Sequence, residues 1–260
     1  MKLSKYIIIG IIGLSLLLPS GVFAMPVVDS VSQVADSLYP PARSSISWTH
    51  TVGANAKVLI IGLGQSGGSS ASSCDRVSGV TVNSSSTTRI RTDATADCSS
   101  SNSRTYLYQL LNPPTGSVTI TVSMSTADYI TGGAISFSNT TSSPIGANAG
   151  SGTSATSITT NITTTKNDSI IVDAYVEPLG GGANSPGSGQ EWVYNIYPGN
   201  DGPESKGSRK NVPIATTTSM FWGTTSVSQR LAQSVVEIIG LPDVVSASTP
   251  CRFKGHGICR

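Results

Sequence analysis

The chain has 260 residues, of which only 12% are charged, with 16 lysines and arginines against 14 acids. So sparse and balanced a charge supplies neither field nor basic stripe for a nucleic-acid partner. The 27 glycines and 14 prolines stay below the share expected of low-complexity disorder. Short apolar runs recur through a Ser-, Thr-, Gly- and Asn-rich background, as expected of a β protein that turns hydroxyls to water.

Residues 1–24 read as a secretory signal peptide. Lys2 and Lys5 precede an apolar run from Tyr6 to Leu18, and Val22-Phe23-Ala24 supplies smallish residues for cleavage after Ala24. The run is too short, and too soon broken by Pro19, for a good membrane span. No second apolar run follows, so the mature chain is expected to be secreted or held at the cell surface, without a transmembrane segment. Loss of Lys2 and Lys5 leaves 14 bases and 14 acids, and three of those bases, Arg252, Lys254 and Arg260, fall in the last ten residues.

Residues 25–43, with Val27, Val28, Val31 and Val34, read as an N-terminal leader or strand folded onto its own domain; a segment that pairs with a neighbouring molecule is the alternative. Ile46, Trp48, His50 and Val52 alternate with hydroxyl residues and predict a half-buried strand. Lys57 to Leu63 is apolar on both faces and predicts a central strand. Val80, Val82 and Ile90 mark two short strands. Tyr106 to Leu111, Ser117 to Ser123 and the strand holding Ile135 and Phe137 read as a three-stranded meander, its first turn at Asn112-Pro113-Pro114-Thr115-Gly116. Residues 139–166 read as Ser/Thr/Asn-rich, with an edge strand near Ile158 and Ile162. On the next strand Ile170, Val172, Ala174 and Val176 point inward, and Ile171, Asp173, Tyr175 and Glu177 point outward. Residues 178–190 predict a long flexible loop, and Val212 to Trp222 and Arg230 to Ile239 close the domain. The expected fold is an all-β, two-sheet antiparallel β-sandwich of about ten strands, jelly-roll-like or Ig-like, over residues 44–240. Residues 241–260 form a cationic tail.

Four cysteines in an exported chain predict disulfides. Local pairing favours Cys74–Cys98 and Cys251–Cys259; zinc would need tighter spacing.

Most motifs with a chemical look are discounted. Residues 62–67 match G-x-G-x-x-G, and 64–68 match G-x-S-x-G. Both patterns need a following helix, which Gly-Ser-Ser-Ala-Ser-Ser does not predict, so a mobile loop is expected. His50 reads as a core histidine, and His256 lies in the tail, leaving no evident Ser/His/Asp set. Asp173, Glu177, Glu191 and Glu237 read as solvated carboxylates; a glycosidase pair would have to be assembled from different strands. Asn200-Asp201-Gly202-Pro203-Glu204 resembles a calcium loop, with Asp201 and Glu204 as ligands, against a plain turn. Trp192, Tyr194 and Tyr197 read as one core-facing strand or as a platform for sugar rings.

The order SWTHTVGANAKVLIIGL, RVSGVTVN, YLYQLLNPPTGSVTITVS, GGAISFSNTTSSPIGA, KNDSIIVDAYV resembles a recurrent secreted prokaryotic β-sandwich module, marked by an LxNPPxGxxTVTV hairpin and a GAxSFS strand. The resemblance spans about residues 44–240. It implies a jelly-roll-like fold and an extracellular setting, and brings no catalytic residues with it. The expected function is non-catalytic: a structural or adhesive protein of the cell surface or matrix, self-associating or binding a surface polymer. A carbohydrate-binding module, calcium-assisted through Asp201 and Glu204, is the alternative, and a polysaccharide-active enzyme comes third.

Overall fold

The computed structural model describes residues 23–34, 42–66, 75–95, 103–178, 184–197, 203–223 and 228–242. Residues 1–22, all four cysteines, Asp201, His256 and the tail from residue 243 lie outside the described residues.

Among the described residues the chain is all-β and antiparallel, with no helix. Seventeen strands follow in order: β1 (Phe23–Ala24), β2 (Val27–Gln33), β3 (Arg43–Val52), β4 (Val58–Ser66), β5 (Val77–Val82), β6 (Ser85–Ser86), β7 (Thr88–Ala94), β8 (Ser103–Leu111), β9 (Gly116–Asp128), β10 (Ile130–Ser138), β11 (Thr140–Ala155), β12 (Ser157–Thr163), β13 (Ser169–Glu177), β14 (Gln190–Ile196), β15 (Glu204–Val212), β16 (Thr217–Gly223) and β17 (Gln229–Pro242). They form four sheets rather than two. The first runs β3-β9-β5-β6 and the second β2-β10-β4-β8-β7. The third runs β1-β17-β13-β15-β14, with β11 added on β17, and the fourth is β12-β16.

The sheets stack in that order. Along β4, Gly62 and Gly64 face the third sheet, where a Cβ on either would come within 3.1 Å of Ala174 or Val176. Gln65 faces the other way and donates to Asp128 at the end of β9 in the first sheet. Both faces of β4 are therefore buried throughout. This strand reaches Ser66, so the glycine-rich motif begins inside a central strand and not in a mobile loop. The same holds for β13, whose nine residues are all buried. Ile170, Val172 and Ala174 join the main core with the second sheet. Ile171 packs with Ile162, Val212, Met220 and Val235, and Tyr175 with Ile158, Trp222 and Leu231, beneath the fourth sheet. The outward face expected for Asp173, Tyr175 and Glu177 is thus the floor of another layer. A two-residue period reports which side chains share a face, not whether that face is later covered.

The expected meander is also corrected. β8 lies between β4 and β7, β10 lies between β2 and β4, and β9 belongs to the first sheet between β3 and β5. The Pro-Pro turn therefore carries the chain from one layer to the next, with Asn112 and Gly116 at positive φ (47° and 88°). β9 keeps the predicted alternation: Val118, Ile120, Val122 and Met124 are buried, paired along β3 by Ile46, Trp48 and His50 in register. Asn83 and Ser84, both at positive φ, make the primed turn that closes β5 on β6.

Candidate functional site

Among the described residues, three buried constellations of ionisable side chains bear on function, and each lies between layers. The first is at one end of β13. Glu177 is the direct cross-strand partner of Glu204, and Tyr175 of Lys206. Antiparallel pairing puts such partners side by side on one face. Glu177, Glu204 and Lys206 are at most 2% exposed. Lys206 Nζ lies 2.6 Å from Glu204 Oε2 and 3.6 Å from Glu177 Oε1. Asn184, also buried, donates from Nδ2 to the same Glu177 Oε1. Pro186, two residues on, bridges to Trp222. The segment 184–187, expected as open loop, is thus folded over the charged cluster.

Two carboxyls and one ammonium share this dry space. Burial first, and then the hydrogen bond and charge of Glu204, push Glu177 up to about 8. Glu177 Oε2 and Glu204 Oε1 are both buried. At neutral pH Glu177 is therefore held in its acid form, beside the ion pair of Lys206 with Glu204. Carboxyls in hydrogen-bonding contact leave no room for a sugar ring between them, unlike the separations of about 5–9.5 Å used in glycoside hydrolysis. Glu204, a candidate calcium ligand with Asp201 against the plain-turn reading, points inward to Lys206. The outward, solvated reading of Glu177 fails for the reason given above.

Asp173 is the second case. It is fully buried and accepts from Ser208 N at 2.6 Å, Ser208 Oγ at 2.9 Å, Trp222 Nε1 at 2.7 Å and Gln233 Nε2 at 2.8 Å. Burial pushes it up to about 6 while the four donors pull it down. It is a clamp joining β13, β15, β16 and β17. Glu237 does similar work: it accepts from the backbone N–H groups of Ala147, Thr165 and Lys166 at 2.8–3.1 Å. Of the four carboxylates expected on the surface, Glu191 alone is exposed, paired with Arg209.

His50 forms the third. Trp48 Nε1 donates to Ser32 Oγ at 3.0 Å, and Ser32 Oγ lies 2.8 Å from His50 Nδ1. Ser136 spends its hydroxyl hydrogen on Asp29 and Ser30 its own on Thr51 O, so both accept at Nε2, which carries the imidazole hydrogen and leaves Nδ1 to accept from Ser32. Nε2 meets Ser30 Oγ at 3.0 Å and Ser136 Oγ at 3.1 Å, and Ser136 donates to Asp29 Oδ2 at 2.8 Å. Here the aspartate holds a serine, not the histidine, the reverse of a nucleophilic triad's order. Burial lowers His50 to about 4, so it is neutral.

The aromatic residues separate. Tyr194 is buried, its ring seated over Gly62, Gly133 and Gly207, where an added Cβ would meet it at 2.3–2.7 Å. Trp192 and Tyr197 are 43% and 46% exposed. A bulge between Trp192 and Tyr194 turns the tryptophan outward. Its ring lies 5.2 Å from that of Trp222, tilted by 60°, and Trp222 in turn stacks on Tyr175 at 5.1 Å. The sequence marks Trp222 only as the end of a closing segment, because Met220-Phe221-Trp222 after a Ser/Thr run carries no sign of which side chain is buried.

No protein-family model, curated protein or solved structure matches this chain. No helix among the described residues is long and apolar enough to cross a membrane.

Proposed function

We propose that this is an exported, non-catalytic β-sheet protein with a structural or adhesive role at the cell surface or in extracellular matrix, and that it self-associates. The observation that supports it best is strand β2. It pairs with β10 at the edge of the second sheet, and it displays Val27 and Val31, 54% and 51% exposed. An edge strand bearing apolar side chains is a template for another chain. Its buried His, Asp and Glu side chains are committed to holding layers together, in keeping with a structural body. Electron microscopy and light scattering of the mature protein should show assemblies, and Val31→Lys should disperse them with the fold retained by circular dichroism. A wild-type monomer that binds neither cells nor isolated surface polymer would overturn this reading.

A second reading rests on Trp192, whose exposed ring is braced from below by Trp222. Flat, fixed aromatic faces suit sugar rings. A glycan array run with and without EDTA, and repeated on Trp192→Ala, tests it. Signal lost in the variant supports a carbohydrate-binding module, and no signal in the wild type removes it.

A further inference from the structure

The cluster at the end of β13 holds an amine, a carboxamide and a carboxyl that touches both. Lys206 is 2% exposed and Asn184 4%. Glu177 Oε1 accepts from Asn184 Nδ2 and lies 3.6 Å from Lys206 Nζ. We propose that Lys206 and Asn184 join spontaneously in a covalent side-chain amide bond, with Glu177 transferring the protons. The inference stands independently of what the protein does outside the cell.

The chemistry balances without any co-reactant. Lys206 gives one ammonium proton to Glu204 Oε2, its partner at 2.6 Å, and becomes a nucleophile. Nζ then bonds to Asn184 Cγ, and the carbonyl π pair moves onto Oδ1. Glu177, in its acid form, gives its proton to Nδ2; the Cγ–Nδ2 bond breaks, the carbonyl re-forms and ammonia leaves. Glu177 takes the surplus proton from Nζ and returns to its acid form. One oxygen touching both nitrogens lets one side chain serve as acid to the leaving group and base to the attacker, the requirement for general acid–base transfer. The position of Glu177 beside Glu204, in a dry site, keeps it protonated near neutrality.

Two features favour the product. The reactants bury an ammonium and a carboxylate, each costly to hold away from water, and the product has neither: Glu204 ends protonated and the lysine becomes a neutral amide. The reactants also leave Asn184 Oδ1 buried without a donor, an expensive orphan, and the proton that Glu204 gains adds a hydrogen to the site. Enclosure by the 184–187 segment and Trp222 holds the groups together and keeps water from competing for Cγ. The bond would tie this segment to β15 beneath the fourth sheet.

Mass spectrometry of the mature wild-type protein, reduced, alkylated and denatured, decides the matter. Cleavage after glutamate spares the Glu177–Pro178 bond, so it places Asn184 in the peptide that ends at Glu191 and Lys206 in peptide 205–237. The expected result is one species containing both peptides, lighter than their sum by one ammonia, with fragment ions placing the link at Asn184 and Lys206. Recovery of the two peptides separately, at their unmodified masses, overturns the proposal. Asn184→Asp should still join, now with loss of water, and Lys206→Arg should not. Folded Glu177→Ala should accumulate the separate peptides; if it cross-links as completely and as fast as the wild type, Glu177 is not the proton carrier. Should Glu177→Ala fail to fold, the wild-type digest still settles whether the bond exists.

Discussion

At the scale of single residues, polar chemistry is spent on internal order. His50 is the clearest case, because its tautomer follows from its neighbours and its charge from its burial. A histidine held near 4 in the fold and near 6.5 when unfolded stabilises the fold fully above pH 6.5. That contribution is lost as pH falls toward 4, because the unfolded chain takes up the proton first. The shift corresponds to about 3 kcal/mol. Asp173, raised to about 6, acts in the opposite sense, since its neutral form becomes favourable in the fold as pH falls. Total stability would therefore blur the two. The difference in unfolding free energy between wild type and His50→Gln isolates the first: it should shift against the wild type by about 3 kcal/mol between pH 7 and pH 4 in denaturant titrations. A difference that stays constant with pH would mean His50 titrates normally. Asp173→Asn should cost about 1–3 kcal/mol at pH 7, because its amide NH2 meets donors where the carboxylate accepted them.

At the scale of elements, what the sequence disclosed was decided by whether a strand has one wet face. β3, β9 and β12 alternate in burial as their residues alternate in polarity, and they are the strands that periodicity reads well. β11 escaped notice, although it runs 16 residues along β17, because Thr, Ser, Asn and Gly fill it and leave no apolar beat. Its glycines have a local reason. A Cβ on Gly150 would strike the Asp93 carboxylate, and one on Gly152 the backbone of Ala94, so β11 crosses close over the end of β7. β15 escaped for a similar reason: before Val212 it has only polar residues and a glycine, yet Glu204, Lys206 and Ser208 are all buried. Tyr194 gives a direct test of such packing. Gly207→Ala places a methyl 2.3 Å from its ring and should destabilise by about 1–3 kcal/mol. Combined with Tyr194→Leu, the same change should cost less than the sum of the single effects in a double-mutant cycle. Strict additivity would show that the ring and the glycine do not meet.

At the scale of the whole molecule, β class and strand positions were legible, but the number of layers was not. Layer count depends on what covers the second face of β4 and β13, and hydroxyls, a lysine and four carboxylates on covered faces look to any polarity pattern like solvent contacts. The resulting stack is uneven. The first three sheets share one continuous core, from Trp48 and Val122 through Leu107 and Phe137 to Val236. The fourth sheet is two strands, β12 and β16, that pair only with each other among the described strands and rest on two small clusters around Met220 and Trp222. Local opening follows the burial and pairing that each unit would lose. Amides of β12 and β16 should therefore exchange with solvent well before those of β4 and β13, whose ladders are enclosed on both edges and both faces. Hydrogen exchange followed by mass spectrometry resolves these segments. Trp222→Ala should speed exchange in β12 and β16 further while leaving β4 at the wild-type rate, since the lost ring stacks on Tyr175 and not on the main core. If β4 and β12 exchange together in the wild type, the four layers unfold as one unit, and the fourth sheet is held by more than the apolar clusters beneath it.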